Sequence, residues 1–222
     1  IRKVCVMAKV SIIGTGTWGI ALGMVLAQNG HEVTAWSALP KEIEALRESY
    51  TCKNLPGVEI PRSIVFTADL QEACTDKEML VLSVPSVFTR GVAKQMNPFV
   101  KEGQLIVSVA KGIEEKTLMT MSQQIEEELP MANVAVLSGP SHAEEVSRGI
   151  PTTVVVGAKD RQTAEHIQNL FMSSVFRVYT SPDILGIELG GALKNVIALA
   201  AGVSDGLGCG DNTKAALMTR GI

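Results

Sequence analysis

The segment Val10-Ser-Ile-Ile-Gly-Thr-Gly-Thr-Trp-Gly19 determines the fold of this chain. Its first four residues form a short apolar, β-branched run, and a helix pattern from Thr17 to Asn29 follows. A G-x-G-x-x-G turn between a strand and a helix is typical of dinucleotide-binding proteins. In such a turn Gly14 permits the tight bend, Gly16 lets a diphosphate approach the backbone, and Gly19 lets the helix pack closely on the strand. The segment therefore predicts a diphosphate site at the helix N-terminus, against the alternative of an ordinary glycine-rich turn.

Apolar runs alternate with amphipathic helix patterns outward from this segment. The predicted strands are residues 10–13, 32–36, 64–66, 79–83, 105–109, 134–137, 153–156 and 176–179, and the predicted helices are 17–29, 41–48, 118–129, 143–148, 161–171, 184–203 and 212–219. This alternation predicts an α/β, Rossmann-type fold, with a mostly parallel sheet and helices on both faces. The strand pattern stops at Pro182. We expect a dinucleotide-binding domain over residues 1–182 and the truncated beginning of an all-helical substrate domain over residues 183–222.

Composition narrows the function classes. The chain has 222 residues, 19% of them charged, and a formal net charge of −3. No basic excess points to a nucleic-acid surface. The four cysteines (Cys5, Cys52, Cys74 and Cys209) include no C-x-x-C pair, and only three histidines accompany them. We therefore expect reduced thiols, no metal site and, because residues 1–10 do not read as a signal peptide, a cytoplasmic protein.

Lys194 is the second informative feature of the sequence. It is the one cationic residue in an apolar stretch from Ile184 to Val203, in which Glu188 is the other charge. At helical spacing its face consists of small residues, namely Gly190, Gly191, Ala198 and Ala201. We interpret Lys194 as a reactive lysine in a cleft, the alternatives being a solvated lysine and a membrane span. Two charges inside the stretch would be costly in lipid, so we expect no membrane insertion.

Three polar segments follow predicted strands: Ser83-Val-Pro-Ser86, Ala110-Lys-Gly112 and Ser138-Gly-Pro-Ser141. Ligands of open α/β sheets bind at the carboxyl ends of the strands, so all three segments are candidates for a binding site. The structural alternatives are helix caps at Ser86 and Ser141 and a surface lysine at Lys111. His142 has no serine or cysteine partner placed for nucleophilic catalysis, and we assign it no chemistry. His31 and His166 are expected to be exposed.

Taken together, these motifs closely resemble the bacterial-type NAD(P)-dependent glycerol-3-phosphate dehydrogenases. The segments that carry the resemblance are residues 14–22, 29–33, 84–86, 110–112, 138–140, 190–195 and 219–221. The resemblance implies reversible hydride transfer between NAD(P)H and dihydroxyacetone phosphate, which gives sn-glycerol 3-phosphate for phospholipid synthesis. It also implies a helical domain that continues past this chain, and it leaves a homodimer open.

The resemblance further implies roles for individual residues. Lys194 would be the catalytic proton donor and acceptor, and Lys111 would contact both substrate and cofactor. The other residues assigned to the substrate are Gly139, Ser141 and Asn195, and those assigned to the cofactor are Gly14, Gly16, Thr17, Trp18, Gly19 and Ala143. We expect burial, together with the charge of Lys111, to lower the pKa of Lys194.

Two questions stay open in the sequence. The second strand ends at Trp36-Ser-Ala-Leu-Pro40, without the acidic residue that binds the ribose of NAD or the arginine that accepts the phosphate of NADP. Ser37 could bond either cofactor, and Lys41 could reach a phosphate. The alternatives to the implied activity are a related lysine-dependent dehydrogenase acting on another small hydroxy or keto substrate, and a module that senses NAD(P) without turnover.

Overall fold

The computed structural model describes residues 7–221, so Cys5 and the rest of residues 1–6 lie outside the described part of the chain, as does Ile222. Strands and helices alternate as far as a final helical segment. The strands are β1 Lys9–Ile13, β2 Glu32–Trp36, β3 Val65–Thr67, β4 Met79–Leu82, β5 Leu105–Ser108, β6 Asn133–Ser138, β7 Thr152–Gly157 and β8 Phe176–Ser181. The helices are α1 Thr17–Gln28, α2 Pro40–Ser49, α3 Leu70–Cys74, α4 Thr89–Met96, α5 Met121–Glu128, α6 Ala143–Ser147, α7 Arg161–Phe171, α8 Ile184–Gly206 and α9 Asp211–Gly221.

The eight strands form one sheet in the order β3-β2-β1-β4-β5-β6-β7-β8. Neighbouring strands are parallel, except that β7 runs antiparallel to β6. This confirms the predicted mostly parallel sheet. Since β1, β4, β5 and β6 are consecutive and parallel, their carboxyl ends lie side by side at one edge.

Helices cover both faces of the sheet, as predicted. Adjacent residues of one strand point to opposite faces, so Ile12 packs in the core beneath α1 and α7, while Ile13 packs in the core beneath α4 and α5. Both side chains are fully buried. Burial on both faces explains why the strands read as continuous apolar runs in the sequence.

Two local predictions were wrong. The helix predicted from Leu118 begins at Met121, because Leu118 has a φ of 59° and Thr120 caps the helix in a capping box with Gln123. His31 is not exposed: only 5% of its surface is accessible, and its Nδ1 accepts a hydrogen bond from the Ala8 amide at 3.2 Å. Its Nε2 lies 3.1 Å from the carbonyl oxygen of Leu170 at the end of α7. This helix is far from His31 in the sequence, so its packing against the histidine could not be predicted.

Helix α8 leaves the sheet as a long and mostly exposed element. By length and composition alone it could cross a membrane, and 6% of its most apolar window is buried. One buried carboxylate, Glu188, ties it to the sheet domain: its oxygens accept hydrogen bonds from the Ser122 amide at 2.8 Å and the Ser122 hydroxyl at 2.5 Å, at the start of α5. The absence of membrane insertion and the domain boundary at residue 182 stay predictions.

Candidate active site

The glycine-rich turn after β1 is held by its neighbours at the strand ends. Gly14 has a φ of +119°, which favours glycine, and its amide donates to the Trp36 carbonyl at 2.9 Å. The Ser83 hydroxyl donates to the Gly14 carbonyl at 2.7 Å. A side chain at Gly19 would collide with that same carbonyl oxygen and lie 2.5 Å from Ser83 Oγ. The turn is therefore locked between β2, β4 and the first turn of α1.

Gly16, in contrast, faces open space. A Cβ added there would meet no protein atom within 4 Å. No side chain caps the N-terminus of α1, and the buried Thr15 hydroxyl has no hydrogen-bond partner. Free amides, an unused hydroxyl and empty space in front of a helix N-terminus suit an anionic diphosphate. The residues present thus fit the dinucleotide that the motif predicts.

A cavity of about 600 Å³ adjoins this turn. Apolar side chains that are mostly exposed stand at its mouth, as expected where an adenine ring packs; these are Leu39, Val87 and Phe88. Ser37 and Glu42 also line it. Thr15, Glu42 and Phe88 were not predicted as site residues. Glu42 and Phe88 reach the cavity only through the tertiary fold, whereas Thr15 lies inside the glycine-rich turn itself.

Five residues assigned to the cofactor do not line this cavity, namely Thr17, Trp18, Gly19, Lys111 and Ala143. Thr17 and Trp18 occupy the first turn of α1 and do not line this cavity, and Trp18 packs partly buried against the core. Ala143 is 5% exposed and belongs to the core, where α6 packs on α1. The side chains of Thr17, Trp18 and Ala143 are therefore not among those that line the cavity with Gly14 and Gly16.

Lys111 joins two of the predicted segments. Its ammonium donates to the Gly139 carbonyl at 2.9 Å and to Ser141 Oγ at 2.5 Å. Ser141 is therefore not a helix cap: the residue at the N-cap of α6 is His142, and no side chain bonds there. The alternative of a helix cap at Ser86 does not hold either, because Ser86 lies inside a 3₁₀ turn that follows Pro85 and makes no capping bond.

A second cavity, of about 730 Å³, lies between the end of β6 and helix α8. The segment from Ser138 to His142 lines one side, and Gly190, Gly191 and Lys194 line the other. The two glycines differ in what they face. A side chain at Gly191 would lie 2.9 Å from Ser138 Oγ and 3.5 Å from Lys111 Cγ, whereas one at Gly190 would meet nothing within 4 Å. Gly191 lets α8 approach the strand ends, and only Gly190 leaves room for a ligand.

The expected burial of Lys194 was wrong. Its side chain is exposed, and its ammonium donates to Asn195 Oδ1 at 2.9 Å. The reason is that most of α8 is uncovered in this chain, so the small neighbours of Lys194 border solvent as well as the cavity. Lys111 is the partly buried lysine of the pair. Burial lowers the pKa of Lys111, and the positive charge of Lys194 lowers it further.

This pair gives a test that is independent of any activity. Lys194→Ala removes a positive charge beside Lys111. The loss of this repulsion stabilises the protonated form of Lys111 and so raises its pKa. We expect the pKa to stay below that of a free lysine, because burial remains the larger cause. Titration of ¹³C-labelled lysine side chains by NMR measures the change. Lys101→Ala, at an exposed ion pair with Asp76, is the control and should leave the Lys111 titration unmoved. An unchanged Lys111 in Lys194→Ala would show that the two ammonium groups do not interact.

We assign no chemistry to the histidine and cysteine side chains of residues 7–221. His142 is exposed, with its Nδ1 3.5 Å from a Glu144 carboxylate oxygen. Cys52, Cys74 and Cys209 are free thiols, and burial raises the pKa of Cys74 to about 12. Within residues 7–221, no group of three or more histidine, cysteine or acidic side chains is placed to hold a metal ion.

Comparisons with known proteins agree with this geometry. The family profile for the N-terminus of NAD-dependent glycerol-3-phosphate dehydrogenase matches residues 9–164, and the profile for its C-terminus matches residues 183–222. A glycerol-3-phosphate dehydrogenase [NAD(P)+] from Agathobacter rectalis is 64% identical over 217 residues, which cover 97% of this chain and 65% of that protein. The corresponding protein from Fusobacterium nucleatum is 57% identical over 219 residues, with the same coverage of 97% and 65%.

Solved structures give the same result. A crystal structure of glycerol-3-phosphate dehydrogenase from Coxiella burnetii superposes with a TM-score of 0.87 at 32% sequence identity, over 97% of this chain and 66% of that one. The chain spans about 65% of the length of the curated relatives it matches. With a profile match that covers most of its residues, the chain belongs to the NAD-dependent glycerol-3-phosphate dehydrogenase family.

Proposed function

We propose that this chain takes part in the reversible reduction of dihydroxyacetone phosphate by NAD(P)H, giving sn-glycerol 3-phosphate in the cytoplasm for phospholipid synthesis. The observation that carries the proposal is the pair of lysines near the carboxyl end of β6. Lys194 lines the same cavity as Ser138 and Gly139, and its charge acts on Lys111, which bonds Gly139 and Ser141. The β1 turn, built to receive a diphosphate, lies at the same edge of the sheet.

The two lysines have different tasks in this proposal. Lys111 is anchored by two hydrogen bonds and partly buried, so it serves as a fixed positive charge for the substrate. Its partners Gly139 and Ser141, which line the cavity, would lie against the substrate as well. Lys194 is exposed and held by one bond to Asn195, so its ammonium can turn toward a ligand. Asn195 is then released to bond a substrate oxygen.

The chemistry requires one proton from the protein. NAD(P)H, when bound, would supply a hydride with its two electrons to the carbonyl carbon of the substrate. The carbonyl π pair moves to the oxygen, and that oxygen takes a proton from the ammonium of Lys194. Lys194, left as a neutral amine, recovers a proton from water, to which its exposed side chain has access. In the reverse direction the neutral amine accepts the hydroxyl proton.

Initial rates test the proposal. A chain of the relatives' full length that contains this sequence should oxidise NADH or NADPH when dihydroxyacetone phosphate is added, followed by loss of nicotinamide absorbance. Other small keto substrates are tested in parallel. A UDP-glucose dehydrogenase and a ketopantoate reductase share the fold at 20% identity or below, so the fold alone does not identify the substrate. Turnover of another small keto substrate in preference to dihydroxyacetone phosphate would favour the related-dehydrogenase alternative. Cofactor binding without any turnover would favour a sensing module.

A further inference from the structure

The end of β2 is the place where a dinucleotide-binding sheet distinguishes NAD from NADP, and here it carries an unusual arrangement. The Ser37 hydroxyl donates a hydrogen bond to Glu42 Oε2 at 2.6 Å and accepts one from the Leu39 amide at 3.2 Å. Ser37 is 6% exposed. Its hydroxyl proton is therefore committed to the carboxylate of Glu42.

Glu42 is positioned by the start of α2. Pro40 begins this helix, and the Glu42 amide bonds the Leu39 carbonyl at 3.0 Å, so the first turn is fixed against the end of β2. The Glu42 side chain is partly buried and lines the same cavity as Gly14, Gly16 and Ser37. Lys41, the residue that could have reached a phosphate, is exposed and does not line the cavity.

The charge of the cavity lining beside Glu42 distinguishes a ribose hydroxyl from a 2′-phosphate. Among the described residues that line the cavity, Glu42 is the one with an ionisable side chain, and no lysine or arginine is present. A carboxylate accepts a hydrogen bond from a ribose hydroxyl and repels a phosphate at the same position. A 2′-phosphate placed here would gain no cationic partner and would face a negative charge.

We propose that Glu42, held in place by Ser37, is a specificity-determining residue that selects NAD(H) over NADP(H). This inference rests on the proposed function, because it concerns the cofactor of that same site. Ser37 would act as a positioning residue that directs the Glu42 carboxylate along the cavity wall. The acidic residue found at the end of the second strand in many NAD-binding folds is supplied here from the adjoining helix.

Direct binding tests the proposal without reference to turnover. NADH and NADPH are titrated separately against the full-length chain that contains this sequence, and the increase of nicotinamide fluorescence gives each Kd. We expect the parent to bind NADH more tightly by at least about tenfold, the scale of one unfavourable charge pair. Glu42→Gln keeps the size of the side chain and an oxygen that can accept from Ser37. It should tighten NADPH binding by about tenfold and change NADH binding little.

Two control variants accompany it. Glu44→Gln removes a charge from the same helix at an exposed position that does not line the cavity, and should leave both affinities unchanged. Lys41→Gln should also leave both unchanged. A loss of NADPH affinity in Lys41→Gln would overturn the inference, since it would show that a cation binds the phosphate. Circular dichroism confirms that each variant is folded.

The remaining outcomes separate this inference from the proposed function. Equal affinity for the two cofactors in the parent, or a Glu42→Gln variant that still binds NADPH as weakly as the parent, would overturn the role of Glu42 and leave the proposed function standing. A folded parent that binds neither cofactor would overturn both.

Discussion

Replacement of Lys194 by alanine is expected to lower kcat by about a hundredfold or more, the usual contribution of a positioned acid or base. Reduction of the carbonyl leaves negative charge on oxygen, and in the proposed site Lys194 is the ammonium free to turn toward it. Lys111 cannot substitute readily, because its ammonium is already bonded to Gly139 and Ser141. The Kd for NADH should stay near that of the parent, since Lys194 does not line the cavity beside the glycine-rich turn.

Steady-state rates with dihydroxyacetone phosphate, measured on the full-length chain that contains this sequence, check this expectation. Lys101→Ala removes the same side chain from an exposed ion pair before β5, at the opposite edge of the sheet, and should retain parental kcat. The exposure of Lys194 adds a second measurement, because a small amine added to the Lys194→Ala variant can reach the vacated position from solvent. Partial recovery of kcat with methylamine is expected. Parental kcat in Lys194→Ala would refute the role of this lysine.

Gly19→Ala should weaken NADH binding by at least about tenfold and also lower the stability of the protein. The new methyl group would collide with the Gly14 carbonyl and approach Ser83 Oγ to 2.5 Å, so the turn must move. The shortest of these contacts is with a backbone oxygen, which cannot rotate away as a side chain can. Both cofactor binding and the packing of α1 on β1 depend on that turn.

Gly16→Ala separates the effect on NADH binding from the effect on stability. Its φ of −59° suits alanine, and the added methyl group meets no protein atom within 4 Å. We therefore expect the melting temperature to stay unchanged while NADH affinity falls, because the methyl group occupies the space in front of the helix N-terminus. Gly23→Ala, one turn beyond Gly19 in α1, makes an ordinary 3.4 Å contact with Ile12 and serves as the control for both the Gly16 and the Gly19 variants. Undiminished NADH affinity in Gly16→Ala would show that no diphosphate lies against this turn.

Much of the nucleotide-binding half could be predicted because its signals are local. The β1 strand, the glycine-rich turn and α1 are adjacent in sequence, and strands buried on both faces appear as apolar runs such as Met79–Leu82. Helices α3 and α4 were not predicted from the sequence.

The details of the site depend on contacts between distant residues. Ser141 has the local features of a helix cap, and only the approach of Lys111 from another strand end gives its hydroxyl a different partner. The burial of His31 likewise depends on the end of α7, far along the chain. Lys194 is exposed because most of α8 is uncovered. The small residues around Lys194 in the sequence do not indicate whether another element covers them. Spacing identifies which residues share a helix face, but not what lies opposite that face.

The bond between Glu188 and Ser122 has a consequence for motion within the protein. It fastens the second turn of α8 to the start of α5, so the first turns of this helix move as one body with the sheet. Lys194 lies less than two turns beyond the fastening and is carried along. We therefore expect any hinge between the sheet and the helices that follow it to lie beyond Lys194 rather than at Pro182, so that Lys194 keeps its place relative to the sheet.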